Sequence, residues 1–257
     1  FKDNDFEFFI DAEGSNHNYY EFEVNALNTI WELRLNKPYK NGGSEHSDRV
    51  GMKGQGNLPG LQSGVKIDGK INDPGSKDKC WSVTIKFPFK DLIQMGHLQK
   101  NPTKGSVWRV NSSRVQWKWR WDAAKQEWQK EAQPGHGMEG EDNWTWTPQG
   151  AINIHAPERW GFLHFSDSEG LGAKGAEVPR DWDLREWLLE IHYLVSDYAE
   201  QGQLPNSLED LEVEGPRGLG VEEYGFELDP EVPGGYRAWA KLPSGFKGLG
   251  VSGASEG

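Results

Sequence analysis

Apolar and polar residues alternate with a period of two through most of the chain before residue 166, and this alternation restricts the fold more than any other feature. In the segment DFEFFID, Phe6, Phe8 and Ile10 share one parity while acidic residues dominate the other. This is the pattern of a β-strand with one buried face. Related patterns return in YYEFEVNAL, IWELRL, GVKIDGKI, CWSVTIKFPF, SVWRVNSSRVQWKWRW, NWTWTP and RWGFLHF. Short strands separated by turn-forming residues, without a helical period between them, predict a mainly β protein built on an antiparallel β-sandwich.

The pattern changes near residue 180. Residues 167–180 are rich in Ser, Gly and Ala, and Asp183 with Glu186 then forms a capping box before apolar residues at helical spacing that end at Gly202. The segments YGFELD and GYRAWAKL predict a hairpin after this helix. The predicted organisation is a β-sandwich at 1–166, a linker at 167–180, a small α+β extension with one long helix at 181–245, and a flexible tail at 246–257.

Composition excludes several classes of function. The net charge is −12 with 28 scattered Lys and Arg residues, which argues against nucleic acid and anionic membranes as partners. No apolar run approaches the roughly 18 residues that span a bilayer, so no membrane contact is predicted. The single cysteine, Cys80, excludes an internal disulfide and is predicted to be a small buried hydrophobe. The 13 tryptophans exceed ordinary usage, and tryptophan offers a flat apolar face to sugar rings.

The order of the strands resembles that of the family 9 carbohydrate-binding modules, a group related to the haem- and sugar-binding DOMON domains. The strongest marks are the strand at 5–11, Phe22-Glu23-Val24-Asn25, and Trp160-Gly161, and the resemblance covers residues 1–166. In that family further strands precede the segment that corresponds to residues 5–11. The resemblance therefore implies that the first strands of the module are absent from this sequence and that the natural polypeptide is longer.

The resemblance also implies a function. It indicates non-catalytic binding of poly- or oligosaccharides of plant or algal type, on a bacterial protein of carbohydrate catabolism that is extracellular, periplasmic or on the cell surface. The expected partners are carbohydrate and other domains of the same polypeptide. No enzymatic activity is expected of the chain itself, although such modules are linked to catalytic domains that hydrolyse O-glycosyl bonds.

Family members hold a terminal sugar between two tryptophans, while an acid, a base and amides bond its hydroxyls. By resemblance, Glu7 takes the place of the hydroxyl-binding glutamate, Asn111 that of an amide, and Phe1 that of the first aromatic wall. The pattern departs from the family at three positions. Glu23 replaces the arginine, Ile154 the second tryptophan and Ala151 an asparagine.

The strand at 106–121 adds further candidates. Trp108 and Val110 have even parity and Val115 has odd parity, which predicts a β-bulge that leaves Arg114 among the donors of the polar face. Five tryptophans in or near this strand form either a ligand platform or part of the core: Trp117, Trp119, Trp121, Trp144 and Trp146. The full predicted ligand-binding set is Phe1, Glu7, Glu23, Asn25, Asn111, Arg114, Trp119, Trp146 and His155.

The acidic residues allow other interpretations. Acids of like parity, among them Glu7, Glu21 and Glu23, would suit a glycosidase carboxylate pair, but solvated surface acids or calcium ligands are the favoured interpretation. The loop after residue 11 offers oxygens of Asp11, Glu13 and Asn16 to a structural calcium ion. No other cofactor is expected.

A haem-binding electron-transfer domain of the DOMON type is an alternative function. It requires an axial pair of Met or His ligands. The available residues are Met52, Met95, Met138 and His155, and their spacing selects no pair.

Overall fold

The computed structural model is mainly β, with antiparallel sheets and one long helix, as the sequence predicts. The structure describes residues 3–46, 57–131, 140–166, 178–179, 181–216, 220–232, 234–243 and 249–254, the last segment by its backbone alone. The chain divides into two compact units, Phe1–Gly172 and Ala173–Gly257. Most of the predicted linker at 167–180 lies outside the described residues.

The first unit is built around a sheet of seven strands. Its strands are β1 (Asp5–Asp11), β2 (Tyr19–Asn25), β3 (Ile30–Leu35), β4 (Glu45–His46), β7 (Val107–Gln116), β10 (Asp142–Thr145) and β11 (Gly161–His164). The order is β10-β7-β1-β2-β3-β4, and β11 pairs with the other end of β7. The long strand β7 lies beside β1 in antiparallel register, from Asp5 opposite Val115 to Asp11 opposite Arg109. Residues more than 100 positions apart in sequence therefore share the centre of the sheet.

One face of this sheet carries the main apolar core. It bears the even-numbered residues Ile10, Phe22 and Val110, which pack together with the helix α1 (Phe89–Met95). The hairpin formed by β5 (Gln62–Asp68) and β6 (Cys80–Lys86) covers the same core through residues that include Val65 and Val83. A second hairpin, β8 (Trp119–Asp122) with β9 (Glu127–Lys130), forms a separate two-stranded sheet.

The opposite face is buried as well, which the alternation does not predict. On β1 the polar residues Asp5, Glu7 and Asp11 are 3%, 6% and 0% exposed, whereas Phe6 and Phe8 are only partly buried. An aromatic cluster lies on this face, made of Phe9, Tyr19, Leu33, Leu35 and Trp160, with Trp31 and Ile154 packed against it. The prediction of one buried and one solvated face is therefore wrong for this strand.

Two local predictions for the first unit are also wrong. The register of β1 with β7 is continuous from residue 109 to residue 115, so β7 has no bulge there. Val115 and Ser112 consequently lie on opposite faces, and the change of apolar parity reflects burial on both faces. Cys80 is exposed rather than buried, because it shares the parity of Ser82 and Thr84 on the solvent-facing side of β6.

The second unit combines the long helix α2 (Trp182–Glu200) with three antiparallel strands. These are β12 (Glu223–Leu228), β13 (Gly235–Lys241) and β14 (Leu249–Ala254), in that order across the sheet. Leu184, Leu188 and Ile191 of the helix pack with Tyr236 and Ala238 of the sheet, and the pairing of β12 with β13 confirms the predicted hairpin.

Two details of the second unit differ from the predictions. The helix begins at Trp182 after Asp181, whose carboxylate accepts a hydrogen bond from Arg185, so Asp183 lies within the first turn and is not the cap. Strand β14 lies in the segment predicted as a flexible tail, because pairing with β13 orders its backbone. Within the described residues, no helix combines the length and apolar character needed to cross a bilayer.

Candidate functional site

Polar side chains occupy the centre of the buried second face of the large sheet. Because adjacent strand residues point to opposite faces, the odd-numbered residues of β1, β2 and β7 share this surface, here called the acidic face. Its central polar members are Asp5, Glu7, Glu21, Glu23, Asn111 and Ser113, and Asn25 and the pair Asp11–Arg109 lie at its two ends. One cross-strand row runs Ser113, Glu7, Glu23, Trp31. The next row runs Asn111, Phe9, Glu21, Leu33.

Three carboxylates of the acidic face converge. One oxygen each of Asp5, Glu7 and Glu23 lies within 4.8 Å of the others. The three residues are 3%, 6% and 7% exposed, so the prediction of solvated surface acids is wrong. The Ser113 hydroxyl donates a hydrogen bond to Glu7 Oε2 across the β1–β7 pair.

Burial changes the protonation of these acids. It raises the pKa of Glu7 from 4.5 to about 7, with the nearby Asp5 and Glu23 charges adding to the rise and the Ser113 hydrogen bond opposing it. Burial likewise raises the pKa of Glu21 well above its usual value, and the charges of Glu7 and Glu23 raise it further. The carboxyl of Glu21 therefore lies within the electrostatic field of Glu7 and Glu23.

Asn111 and Glu21 supply polar atoms that the protein itself leaves unsatisfied. The Asn111 side chain is 0% exposed, and neither its Oδ1 nor its Nδ2 makes a hydrogen bond. The Glu21 carboxylate is 5% exposed, and its Oε2 also lacks a hydrogen-bond partner. Buried polar groups without partners cost about 1–3 kcal/mol each, and such an arrangement is typical of a site that binds a ligand, an ion or water.

His155 borders the acidic face as a neutral side chain. Its Nδ1 lies 3.0 Å from the Tyr19 hydroxyl, and its Nε2 lies 3.8 Å from Glu21 Oε2. The ring also meets Phe9 edge-on. Burial lowers the pKa of His155 from 6.5 to about 4, so the ring carries no charge at neutral pH. The structure thus places this predicted residue beside the acids.

The other predicted ligand-binding residues are dispersed. Arg114 is opposite Trp144 on β10 and stacks on that ring at 5.8 Å, on the face opposite to Glu7. The ring of Trp146 packs on Gly161, where an added Cβ would lie 2.5 Å from it. Gly161 is opposite Val110, an even-numbered core residue, so Trp146 also lies on the opposite face.

Of the last three predicted positions, Asn25 lies on the acidic face, directly opposite Asp5 on β1. Trp119 belongs to the separate β8–β9 hairpin, and its indole nitrogen lies 3.4 Å from Asn4 Oδ1. Asn25 stabilises the turn between β2 and β3, since its Oδ1 accepts hydrogen bonds from the backbone of Leu27 and Thr29. Phe1 lies outside the described residues.

The predicted calcium loop is held by protein hydrogen bonds. The two carboxylate oxygens of Asp11 accept from the backbone nitrogens of Gly14 and Asn16 at 2.7 and 2.8 Å, and burial raises the pKa of Asp11 to about 6. Glu13 accepts from Ser15, and the Asn16 amide donates to Glu158. The bonds to Asp11 and Glu13 engage carboxylate oxygens that a calcium ion would share, whereas the buried Oδ1 of Asn16 has no hydrogen-bond partner. Calcium at these three residues stays a prediction.

The structure separates the one haem-ligand pair it describes. Met95 packs in the core with Ile10, whereas His155 contacts Phe9. Phe9 and Ile10 are neighbours on β1 and point to opposite faces, so Met95 and His155 cannot serve as the two axial ligands of one haem. Met52 and Met138 lie outside the described residues.

Sequence reasoning missed Asp5, Ser113 and Tyr19 as members of the site. Parity was the available signal for Asp5 and Ser113, because both share it with Glu7 and Asn111 on their own strands. Tyr19 shares parity with Glu21 and Glu23, but its hydrogen bond to His155 joins residues 136 positions apart. A local pattern contains no information about that contact.

Comparisons of the chain with protein-family models, with curated proteins and with solved structures gave no match.

Proposed function

We propose that this protein binds carbohydrate without catalysis, and that the acidic face is the binding surface. The proposal includes the finer fold assignment, a β-sandwich of the family 9 carbohydrate-binding module type, and a location outside the cytoplasm on a secreted or surface protein. The observation that carries it is the Asn111 side chain, which is completely buried and has both polar atoms unsatisfied. A ligand with donors and acceptors side by side would satisfy both atoms.

The chemistry of the face suits sugar hydroxyls. An amide offers one acceptor and two donors, while an ionised carboxylate offers only acceptors. A pair of neighbouring hydroxyls can donate a hydrogen bond to one group and accept one from another. Glu7 can accept from such a pair, and the Asn111 amide can donate to it. Glu21, with an unsatisfied Oε2, adds a further acceptor in the row beside Glu7.

An aromatic ring is available at the edge of the same face. Trp31 is the cross-strand partner of Glu23 and is only partly buried. Tryptophan packs against the CH groups of a sugar ring while its neighbours bond the hydroxyls. Trp31 therefore takes the role that the sequence assigned to Trp119, which belongs to the β8–β9 hairpin, and to Trp146, which lies on the opposite face.

The acids are covered in the free protein, and this affects how a sugar would bind. Asn111 and Glu21 are 0% and 5% exposed, so a sugar reaches them only after covering side chains move. Ile154, which packs against the aromatic cluster of the same face, is proposed as one of these covering side chains. Binding that requires such a rearrangement is slower than ordinary association.

A glycan-array screen followed by calorimetry tests the proposal. Asn111→Ala and Glu7→Ala should each weaken binding by about 1–3 kcal/mol, the range for a lost hydrogen-bond partner to a polar or charged group. Trp128→Ala is the matched control, since Trp128 lies on β9 of the separate hairpin. Wild-type affinity in Asn111→Ala, together with loss of binding in Trp119→Ala or Trp146→Ala, would place the sugar elsewhere and contradict the proposal.

Glycoside hydrolysis is a second candidate, favoured by one observation. Burial raises the pKa of Glu7 to about 7, which is the range of a general acid at neutral pH, and an oxygen of Glu23 lies within 4.8 Å of it. Retaining glycosidases place their two carboxyl groups about 5 Å apart. Release of reducing sugar that disappears in Glu7→Gln would establish this activity, and its absence with a bound oligosaccharide would leave binding alone.

A further inference from the structure

We propose that Asp5, Glu7 and Glu23 bind a calcium ion on the acidic face. Calcium–oxygen distances are about 2.3–2.6 Å, so two ligands on opposite sides of one ion are separated by about 5 Å. The three carboxylate oxygens lie within 4.8 Å of one another. One ion at their centre can therefore contact all three.

The electrostatics of the cluster favour a cation. Glu7 and Glu23 are directly opposite each other on β1 and β2, and like charges in that arrangement repel. Burial to 3–7% exposure removes most of the water that would otherwise screen them. A divalent cation offsets both effects, because its charge compensates those of the carboxylates and its coordination replaces the lost hydration.

Two side chains outside the cluster independently indicate a ligand. Asn111, which is 0% exposed, has no hydrogen-bond partner for either polar atom, and Glu21 Oε2 makes no hydrogen bond, with His155 Nε2 3.8 Å away. Both lie in the row next to Glu7 and Glu23 on the same face. Asn111 is also two residues from Ser113, whose hydroxyl bonds Glu7. A bound ion with its water shell brings partners to both positions.

The ligand chemistry selects calcium among the common ions. The converging atoms are all carboxylate oxygens, which hard cations prefer, whereas zinc is usually bound by nitrogen or sulfur. Calcium accepts six to eight oxygens in flexible geometry. Three carboxylates from two strands, with the remaining positions filled by water or by Glu21 and Asn111, suit that flexibility better than the strict octahedron of magnesium.

This site differs from the loop at Asp11, Glu13 and Asn16, where protein donors already bond the carboxylates of Asp11 and Glu13. The inference goes beyond carbohydrate binding and does not depend on it, since calcium alone is the probe. A protein that binds calcium but no glycan would contradict only the proposed function.

Calorimetric titration of the full chain with calcium chloride, after removal of metals with EDTA, tests the site. We expect saturable binding of one ion. Glu23→Gln and Asp5→Asn should each weaken binding at least tenfold, and magnesium should bind more weakly than calcium. Glu13→Gln is the matched control, because it removes an acid of the predicted loop site and leaves the acidic face intact.

Terbium luminescence supplies a second readout at the same site. Terbium replaces calcium in oxygen-ligand sites, and excitation of Trp31, the cross-strand partner of Glu23, should sensitise its emission. Trp31→Phe should reduce the emission and leave calcium binding unchanged. Circular dichroism shows whether each variant is folded, and the amide substitutions preserve side-chain volume.

Three results would overturn the inference. They are a wild-type protein that binds no calcium at millimolar concentration, binding that is lost in Glu13→Gln but retained in Glu23→Gln, and a preference for magnesium over calcium. Unchanged terbium emission in Trp31→Phe would also place the ion away from the acidic face.

Discussion

Glu7 and Glu23 are direct cross-strand partners, two carboxylates facing each other at the centre of a buried sheet surface. A pair of this kind destabilises a sheet when both members are ionised. The fold therefore retains an arrangement that is unfavourable at neutral pH unless a proton or a bound cation compensates it. Protonation of Glu7 therefore makes the stability of the fold depend on pH.

Glu7→Gln should change how stability depends on pH in metal-free protein. The native pKa of Glu7 is raised from 4.5 to about 7, so between these pH values the native state binds more protons than the unfolded state. Stability from this group is therefore present below pH 4.5 and falls as pH rises towards 7. This pKa shift corresponds to about 3 kcal/mol of stability. Because glutamine does not titrate, Glu7→Gln should not show this loss of stability.

Urea unfolding in EDTA at several pH values between 4 and 8 measures this effect. The variant should gain stability relative to wild type as pH rises, while Glu127→Gln, an exposed acid on β9, should follow wild type. Parallel pH curves for wild type and Glu7→Gln would mean that Glu7 is ionised normally in the folded protein.

His155→Gln should change the pH dependence of stability in the opposite direction. The native pKa of His155 is lowered from 6.5 to about 4, so in this range the unfolded state binds more protons. The contribution of this group is present above pH 6.5 and is lost as pH falls towards 4, by about 3 kcal/mol. Glutamine can still bond the Tyr19 hydroxyl but does not titrate, so the variant should lose less stability on acidification than wild type. An NMR titration that gives His155 a pKa near 6.5 would contradict the prediction.

The local sequence pattern predicts the strands and the two faces of each strand. Which of these faces meet in the sheet is decided by the register of strand pairing. Glu7, Glu23 and Asn111 are predicted on polar faces, and the pairing of β1 with β2 and β7 brings those faces together. Their burial could not be predicted, because Trp160 and Ile154, which belong to the aromatic cluster of this face, lie more than 100 positions from Glu7 and Glu23 and more than 40 from Asn111. The parity of a residue does not predict which distant side chains pack on its face of the sheet.

The misplacement of Arg114 has a more local cause. The predicted bulge would have moved it to the face of Asn111, but β7 runs straight, so Arg114 stays on the even face. Trp146 is on that face because of the pairing of β10 with β7. The apolar parity change at Val115 has an equally good explanation in a sheet buried on both sides. The sequence alone does not distinguish a β-bulge from a straight strand that is buried on both faces.

Asn111→Leu should stabilise the free protein and abolish sugar binding. The substitution removes an amide that is buried without partners, and relief of that penalty is worth about 1–3 kcal/mol. Asn25→Leu is the matched control and should destabilise, because the Asn25 carbonyl accepts two backbone hydrogen bonds at the β2–β3 turn. Urea unfolding measures both, and a loss of stability in Asn111→Leu equal to that of Asn25→Leu would show that Asn111 has partners in the free protein.

Asp11→Ala should destabilise the first unit without affecting calcium binding at the acidic face. Asp11 is 0% exposed and accepts backbone hydrogen bonds from Gly14 and Asn16, and unsatisfied buried donors cost about 1–3 kcal/mol each. Asp11→Asn retains one acceptor and should cost less. Denaturant unfolding and calcium titration of the two variants provide the measurements, and a stable Asp11→Ala protein that no longer binds calcium would return the ion to the loop.

Division of the chain between Gly172 and Ala173 should give two soluble, folded fragments. The described residues of each unit contain a separate apolar core, one around Ile10 and Phe22 and the other around Ile191 and Ala238. Because Ile191 is completely buried, Ile191→Ala should lower the stability of the second fragment by about 2–5 kcal/mol. In the full chain the same substitution should shift only the transition that belongs to the second unit. Calorimetry of the full chain and of both fragments decides the matter: precipitation of the fragments, or one transition that moves as a whole in Ile191→Ala, would mean that the two units fold as one.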